Sequence, residues 1–382
     1  MRLTYRYRIY PTKAQSAFLD RQLREACSLY NAALEERISA WKVCRKSINY
    51  YDQANQLKAM RVDGCLTLSS FSCSQDVLRR LDKTFKAFFA RCKRGDKPGF
   101  PRFKPSRRYD SVTFPAYGDG CRLLDNGKLR IKDVGHIKVK LHRPVEGKIK
   151  TVTLKREAGR WFVCFSVERG SQLLATGDHT TGLDVGLNSF AVLSDGTEIP
   201  NPRYYRKAKA RLRRAQRKVA RRPNKRSNRR RKAVQLLQRA HALVANQRRD
   251  FHHKLSRKLI NEYGRIAVED LNVKGLAGGR LAQSVRDAGW ASFIEMLSYK
   301  AECAGRELVR VDPCGTSQTC LCGERVSKTL SDRWHDCRAC GLSAGRDMVS
   351  AQVILQRAGN RPSWRNVDAV MSCVPREAVC FS

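Results

Sequence analysis

The chain has 382 residues, enough for two or three compact units, each with its own core. Its 76 Lys and Arg against 35 Asp and Glu leave a formal net charge of +41, which internal pairing cannot balance and which implies a polyanionic partner over a large surface. There is no apolar run long enough to cross a bilayer and no signal-peptide core, so no membrane association is expected, and the 15 cysteines are expected to be cytoplasmic thiols whose clusters point to metal.

Residues 2–9 alternate, with Leu3, Tyr5, Tyr7 and Ile9 on one side and Arg2, Thr4, Arg6 and Arg8 on the other. That pattern predicts a half-buried strand with a basic outer face. Pro11-Thr12 looks like a helix start, and Leu19, Leu23, Ala26, Tyr30, Leu34 and Ile38 follow at helical spacing. Helical patterns run to about residue 94, and Gly95 to Pro105 breaks them. From about 111 to 170, short alternating runs such as 137–141, 152–154 and 161–167 predict an all-β module, a small barrel that the first strand could complete.

After about 176 the pattern becomes mixed α/β, with strands expected near 181–185, 189–193, 265–269 and 307–311. Residues 201–240 contain 18 Lys and Arg and no acid, and Pro223-Asn224 splits them into two predicted helices. Leu236, Leu237, Ala240, Val244, Leu255 and Leu259 are expected to form the apolar seam of the second helix. Arg213, Arg214, Arg217 and Lys218 fall within an arc of roughly 140° on the first, a basic face suited to a phosphate backbone.

Asp184 lies in Gly182-Leu183-Asp184-Val185-Gly186 and Glu269 in Ile266-Ala267-Val268-Glu269-Asp270-Leu271, each within or ending an apolar run. Asp347 opens a later helical pattern. An unpaired carboxylate in a buried strand costs several kcal/mol, a cost offset by a divalent cation. Three acids meeting at one point could hold two magnesium ions and hydrolyse phosphodiesters. They lie 85 and 78 residues apart, so a fold must assemble them, and an RNase H-like sheet does so. Gly182 and Gly186 are expected to leave room beside Asp184 for a metal and a phosphate. Asp270 rivals Glu269 here, because alternation puts the two on opposite faces without saying which face holds the site.

Cys320-Leu321-Cys322-Gly323 and Cys337-Arg338-Ala339-Cys340-Gly341 are two close cysteine pairs, each followed by the glycine that a tight knuckle uses. They predict a ribbon holding structural Zn²⁺. The first pair has a one-residue gap, so Cys314 or His335 could substitute as a ligand.

In order and spacing these segments resemble the TnpB family, RNA-guided nucleases of bacterial insertion sequences related to type V CRISPR effectors. Further carriers are Tyr7-Arg8-Ile9-Tyr10-Pro11-Thr12, Lys97-Pro98-Gly99-Phe100-Pro101-Arg102-Phe103-Lys104, Asp250-Phe251-His252-His253, Asp287-Ala288-Gly289-Trp290 and Thr316-Ser317-Gln318-Thr319-Cys320. The resemblance implies a multidomain α/β protein with a RuvC nuclease domain at 176–311 and 343–382. It implies a wedge-type β-barrel at 1–12 and 110–175, a helical recognition lobe at 13–109, and a target-loading cysteine ribbon at 312–342. It selects Asp184, Glu269 and Asp347 as the magnesium-binding catalytic triad, and adds Arg102 and Lys104 as nucleic-acid contacts.

The partners it implies are a guide RNA from the transposon end and a double-stranded DNA target, with one protein copy per RNA in a bacterial cytoplasm. The chain departs from the family pattern at the first cysteine gap, at Gly345, where the family has Asp, and at Val349, where it has Asn. Two rivals share the acid chemistry or the fold: a DNA transposase, which would join ends, and a guided repressor that binds without cutting.

Overall fold

The computed structural model describes residues 1–171, 173–175, 179–329 and 332–359. The chain divides into two compact units, Met1–Gly170 and Ser171–Ser382. The nuclease segment expected at 343–382 therefore lies partly outside the described residues.

The first unit runs β1 (Arg2–Tyr10), α1 (Lys13–Cys44), α2 (Tyr50–Val62), α3 (Phe71–Lys93), β2 (Ser111–Phe114), β3 (Cys121–Leu123), β4 (Lys128–Ile131), β5 (Gly135–Lys140), β6 (Lys148–Glu157) and β7 (Arg160–Glu168). Thr12 and Gln15 start α1 with a reciprocal capping box, and Asn49 and Asp52 do the same for α2. The strands form one antiparallel sheet in the order β2-β6-β7-β1-β5-β4-β3. The alternating β1 thus sits at its centre, with Tyr5, Tyr7 and Ile9 buried.

No pairing joins β2 to β3: the sheet curls into a half-barrel, open at that seam, where the sequence suggested a small barrel. The curl shows in one small cavity, lined by Val112 of β2, Ile131 of β4, Leu154 of β6, Trp161 of β7 and Leu19 and Leu23 of α1. Helices and sheet share one hydrophobic core, from Leu19, Leu34 and Leu81 to Val163 and Phe165.

The second unit runs β8 (Thr180–Val185), β9 (Ser189–Leu193), β10 (Glu198–Pro200), α4 (Tyr204–Ala220), α5 (Asn228–Glu262), β11 (Arg265–Glu269), α6 (Val273–Leu276), α7 (Ala282–Ala288), α8 (Trp290–Ala304), β12 (Glu307–Val311), β13 (Trp334–Asp336), β14 (Ser343–Gly345) and α9 (Arg346–Arg357). Its main sheet has the order β10-β9-β8-β11-β12. The strands β8, β9 and β10 meander antiparallel, while β11 runs parallel to both β8 and β12.

One face is a conventional core: Leu183, Ile266 and Val268 pack with Leu259, Phe293 and Leu297 of α5 and α8. The other face carries small residues. Ala267 packs with Ile354 and Ala358 at the end of α9. At Gly182 a methyl group would overlap the carbonyl oxygen of Ala351 and come within 2.9 Å of the Leu355 nitrogen. Gly182 therefore admits the backbone of α9, and the room expected there for a metal and a phosphate is taken. A methyl at Gly186 would lie 2.9 Å from the Ser189 carbonyl, so that glycine serves the β8–β9 turn.

The basic segment forms a hairpin of α4 and α5, closed by Leu212, Leu237, Ala240 and Val244. Leu236, expected in this seam, is exposed because it lies off the face that meets α4.

Gly182→Ala should destabilise the second unit by about 1–3 kcal/mol, the usual cost of overpacking, or more, since backbone and not a side chain must give way. Urea denaturation checks this; unchanged stability would mean that α9 does not press on β8.

Candidate active site

Asp184 is the fifth residue of β8 and Glu269 the last of β11. The two strands are parallel with Leu183 opposite Val268, so the next residue of each, Asp184 and Glu269, are lateral neighbours. Both lie on the face covered by α9, two residues beyond Gly182 and Ala267 respectively. Asp347 enters from α9 itself, in its first turn, where the helix dipole favours an acid. The fold thus brings the three acids together from two strands and one helix.

Their mutual repulsion is visible in Asp184. Burial first, and then the charges of Glu269 and Asp347, push its carboxyl up to about 8, with Arg346 opposing the shift. Glu269 is also raised, chiefly by burial, against a hydrogen bond donated by the Thr316 hydroxyl and the charge of Arg357. The Arg346 Nε donates to Asp347 Oδ1 at 3.2 Å. Asp270 is placed elsewhere: it is exposed and paired with Arg310 at 3.0 Å.

Three groups around the acids, Thr316, Arg346 and Arg357, escaped sequence reasoning as site residues. Arg346 had a signal in its adjacency to Asp347. Thr316 opens a segment that carries the family resemblance, but its approach to Glu269, like that of Arg357, depends on the tertiary fold.

The four cysteines Cys320, Cys322, Cys337 and Cys340 meet, with all sulfurs within 4.8 Å of one another. Sγ of Cys320 lies 3.6 Å from that of Cys340, and Sγ of Cys322 lies 3.7 Å from that of Cys337. Sulfurs about 2.3 Å from a tetrahedral zinc are separated by roughly 3.8 Å, so the set fits that ion. Each turn closes through its glycine: Gly323 N–H donates to the Cys320 carbonyl and Gly341 N–H to that of Cys337, both glycines having positive φ. The one-residue gap is thereby accommodated. The Cys340 backbone N–H leads in holding the Cys337 thiol down to about 7, whereas burial pushes that of Cys320 up to about 12. His335 is instead buried against the Lys328 amine through its Nδ1, and Cys314 is exposed outside the cluster.

Arg213, Arg214, Arg217 and Lys218 are all exposed on α4, and Arg102 is exposed in the first unit. Lys104 is held among side chains of the first unit. Its amine lies 4.0 Å from the Tyr30 ring centroid and 5.6 Å from that of Tyr109, and its backbone is clamped by Asn31. It is half-buried, unlike the other basic residues expected to contact nucleic acid.

Three family models match the chain. One described as "Probable transposase" covers residues 162–280, one described as "Cas12f1-like, TNB domain" covers 290–354, and one described as "Helix-turn-helix domain" covers 1–46. Residues 1–46 fold here as one strand and one uninterrupted 32-residue helix, so no helix-turn-helix exists in that segment.

A Streptomyces pristinaespiralis protein named as an RNA-guided DNA endonuclease is 35% identical over 92% of this chain and 88% of its own length. An Escherichia coli protein with the same kind of name, InsQ, is 28% identical over 92% of this chain and 91% of its own. The solved structure of the mini-RNA-guided endonuclease CRISPR-Cas phi3 aligns over 95% of this chain and 94% of its own at 11% identity. The TM-score is 0.49.

The raised Asp184 sets a pH dependence. Without a cation the folded protein keeps a proton that the unfolded chain releases between about pH 4 and pH 8, so stability falls as pH rises through that window. Asp184→Asn escapes this loss. In chelator at pH 8 it should be more stable than the parent by on the order of 2–5 kcal/mol, the gap closing towards pH 4. Equal stability at pH 8 would mean that the carboxyl is neither buried nor crowded by acids.

Proposed function

The chain belongs to the TnpB family, and we propose that it is an RNA-guided DNA endonuclease cutting at Asp184, Glu269 and Asp347. The observation that carries the reading is the convergence of these acids on one face of the second unit's sheet. Full-length similarity to proteins named for this activity supports it. The mixed sheet, with a three-strand meander, two further parallel strands and an acid-bearing helix across it, supports an RNase H-like, RuvC-type domain.

Divalent cations such as Mg²⁺, held by the three carboxylates, would activate the attacking water and stabilise the leaving oxygen. The acids suit such ions: they are hard oxygen donors, partly buried, and the charges of Glu269 and Asp347 both raise Asp184. Arg346 steers Asp347 through their ion pair, and Thr316 fixes one Glu269 oxygen, leaving the other carboxylate oxygens for cations. The cysteine ribbon would hold Zn²⁺ as a structural ion. Base pairing with a guide RNA would read the target, while the acid-free face of α4 would grip phosphates without sequence preference.

The "Probable transposase" description of one family model keeps a second chemistry in view. The same acids could serve strand joining, in which a DNA hydroxyl replaces water.

Purified protein with its RNA, given a target plasmid and Mg²⁺, should produce cleaved and unjoined DNA. Asp184→Ala, Glu269→Ala and Asp347→Ala should each reduce cleavage at least about a thousandfold, through loss of a metal ligand, and keep RNA-dependent binding. Asp270→Ala should still cut. Joined products would favour the transposase, and binding without cutting by the parent would favour a guided repressor.

Protein prepared without chelator should contain about one zinc per chain by elemental analysis, and Cys337→Ser should lose it. A zinc-free but active preparation would leave the ribbon held by packing alone.

A further inference from the structure

The C-terminal half of α3 and the segment after it carry an aromatic cluster outside the acid site. Phe85, Phe88, Phe89 and Phe100 meet at ring-centroid distances of 5.2–6.3 Å, mostly edge to face. Phe85 anchors the group, packing on the hydrophobic core with the Arg37 guanidinium over its ring. A hydrogen bond from Arg91 to the Gly99 carbonyl ties the segment bearing Phe100 back to α3. Yet Phe89 stays 55% exposed and Phe100 49%. Exposed rings held in fixed geometry at the rim of a core are a surface awaiting an occupant.

Charge decides which. From Lys83 to Arg108 the chain carries ten Lys and Arg and one acid, Asp96. A second copy of the chain docking here would bring two such surfaces face to face, at a large repulsive cost. A polyanion is attracted to the same surface. Phenylalanine faces contribute to nucleic-acid binding by stacking on bases, and duplexes hide their base faces. The occupant is therefore unpaired nucleic acid.

We propose that Phe89 and Phe100 form a stacking platform for unpaired nucleotides of the guide RNA. The inference rests on the RNA-guided reading above. Guide RNA is favoured over DNA because the DNA target is double-stranded, with its base faces hidden until it is opened. Unpaired loops are also where proteins engage RNA bases on aromatic rings.

The test is the full chain binding its RNA across a salt series, with the double variant Phe89→Leu/Phe100→Leu. Leucine keeps the apolar volume and removes the ring, and an unchanged melting curve confirms folding. Affinity should fall about tenfold or more, with the salt slope unchanged because no cation is lost. Lys93→Ala/Lys97→Ala should instead flatten the slope. Unchanged RNA affinity in the leucine variant overturns the platform, as does a loss confined to single-stranded DNA or a change confined to the oligomeric state by light scattering. Failure of the unmutated protein to bind RNA at all overturns the RNA-guided reading and the platform with it.

Discussion

The second unit depends on one close approach, that of the α9 backbone against β8 at Gly182. Two residues along β8 is Asp184, and the first turn of α9 carries Asp347. Fixing the helix against the strand therefore fixes the third acid relative to the first. The contact also has to hold the helix against electrostatic cost, since the charges of Asp347 and Glu269 both raise Asp184. Packing supplies what the acids oppose. Ile354 and Ala358 press on Ala267, and Val349 and Val353 join the apolar cluster beneath the ribbon.

The sheet divides its work by face. Large aliphatic and aromatic residues fill the α5–α8 side, and Gly182 and Ala267 keep the other side thin enough for a helix to lie close. Asp184 and Glu269 sit near the carboxyl ends of adjacent parallel strands, where open α/β sheets place ligands. Both acids are half-buried there.

Much of this was legible in the sequence, because period and punctuation are local. The alternation of residues 2–9, the Thr12 cap, the helix break near Pro223-Asn224 and the strands around Asp184 and Glu269 all stand close to where pattern put them. What sequence could not show was tertiary. Whether Asp270 or Glu269 faces the site depends on which side of the sheet α9 covers, and the exposed Asp270–Arg310 pair shows the outcome. Lys104 reads as one more cation in a basic run until Tyr30 and Tyr109, distant in sequence, close around it. The curled sheet left open between β2 and β3 depends on pairings that alternation alone cannot rank.

The ribbon and the acids are mechanically one assembly. Gly345 ends the β13–β14 hairpin and Arg346 begins α9, with its N–H donating to the Arg333 carbonyl and its guanidinium to that of Asp332. At the other end of the helix, Gln356 donates to the Leu321 carbonyl between the first two cysteines, and Arg357 donates to the carbonyls of Asp312 and Cys314. The cysteine-bearing segment therefore holds α9 at both termini, and Thr316 from the same segment holds Glu269. An ion joining the four sulfurs would stiffen the frame on which two of the three acids depend. The one-residue gap in the first pair is then a matter for the acid site as well as for the ribbon, because Leu321, the single residue inside it, both packs beneath α9 and accepts the bond that anchors the helix end.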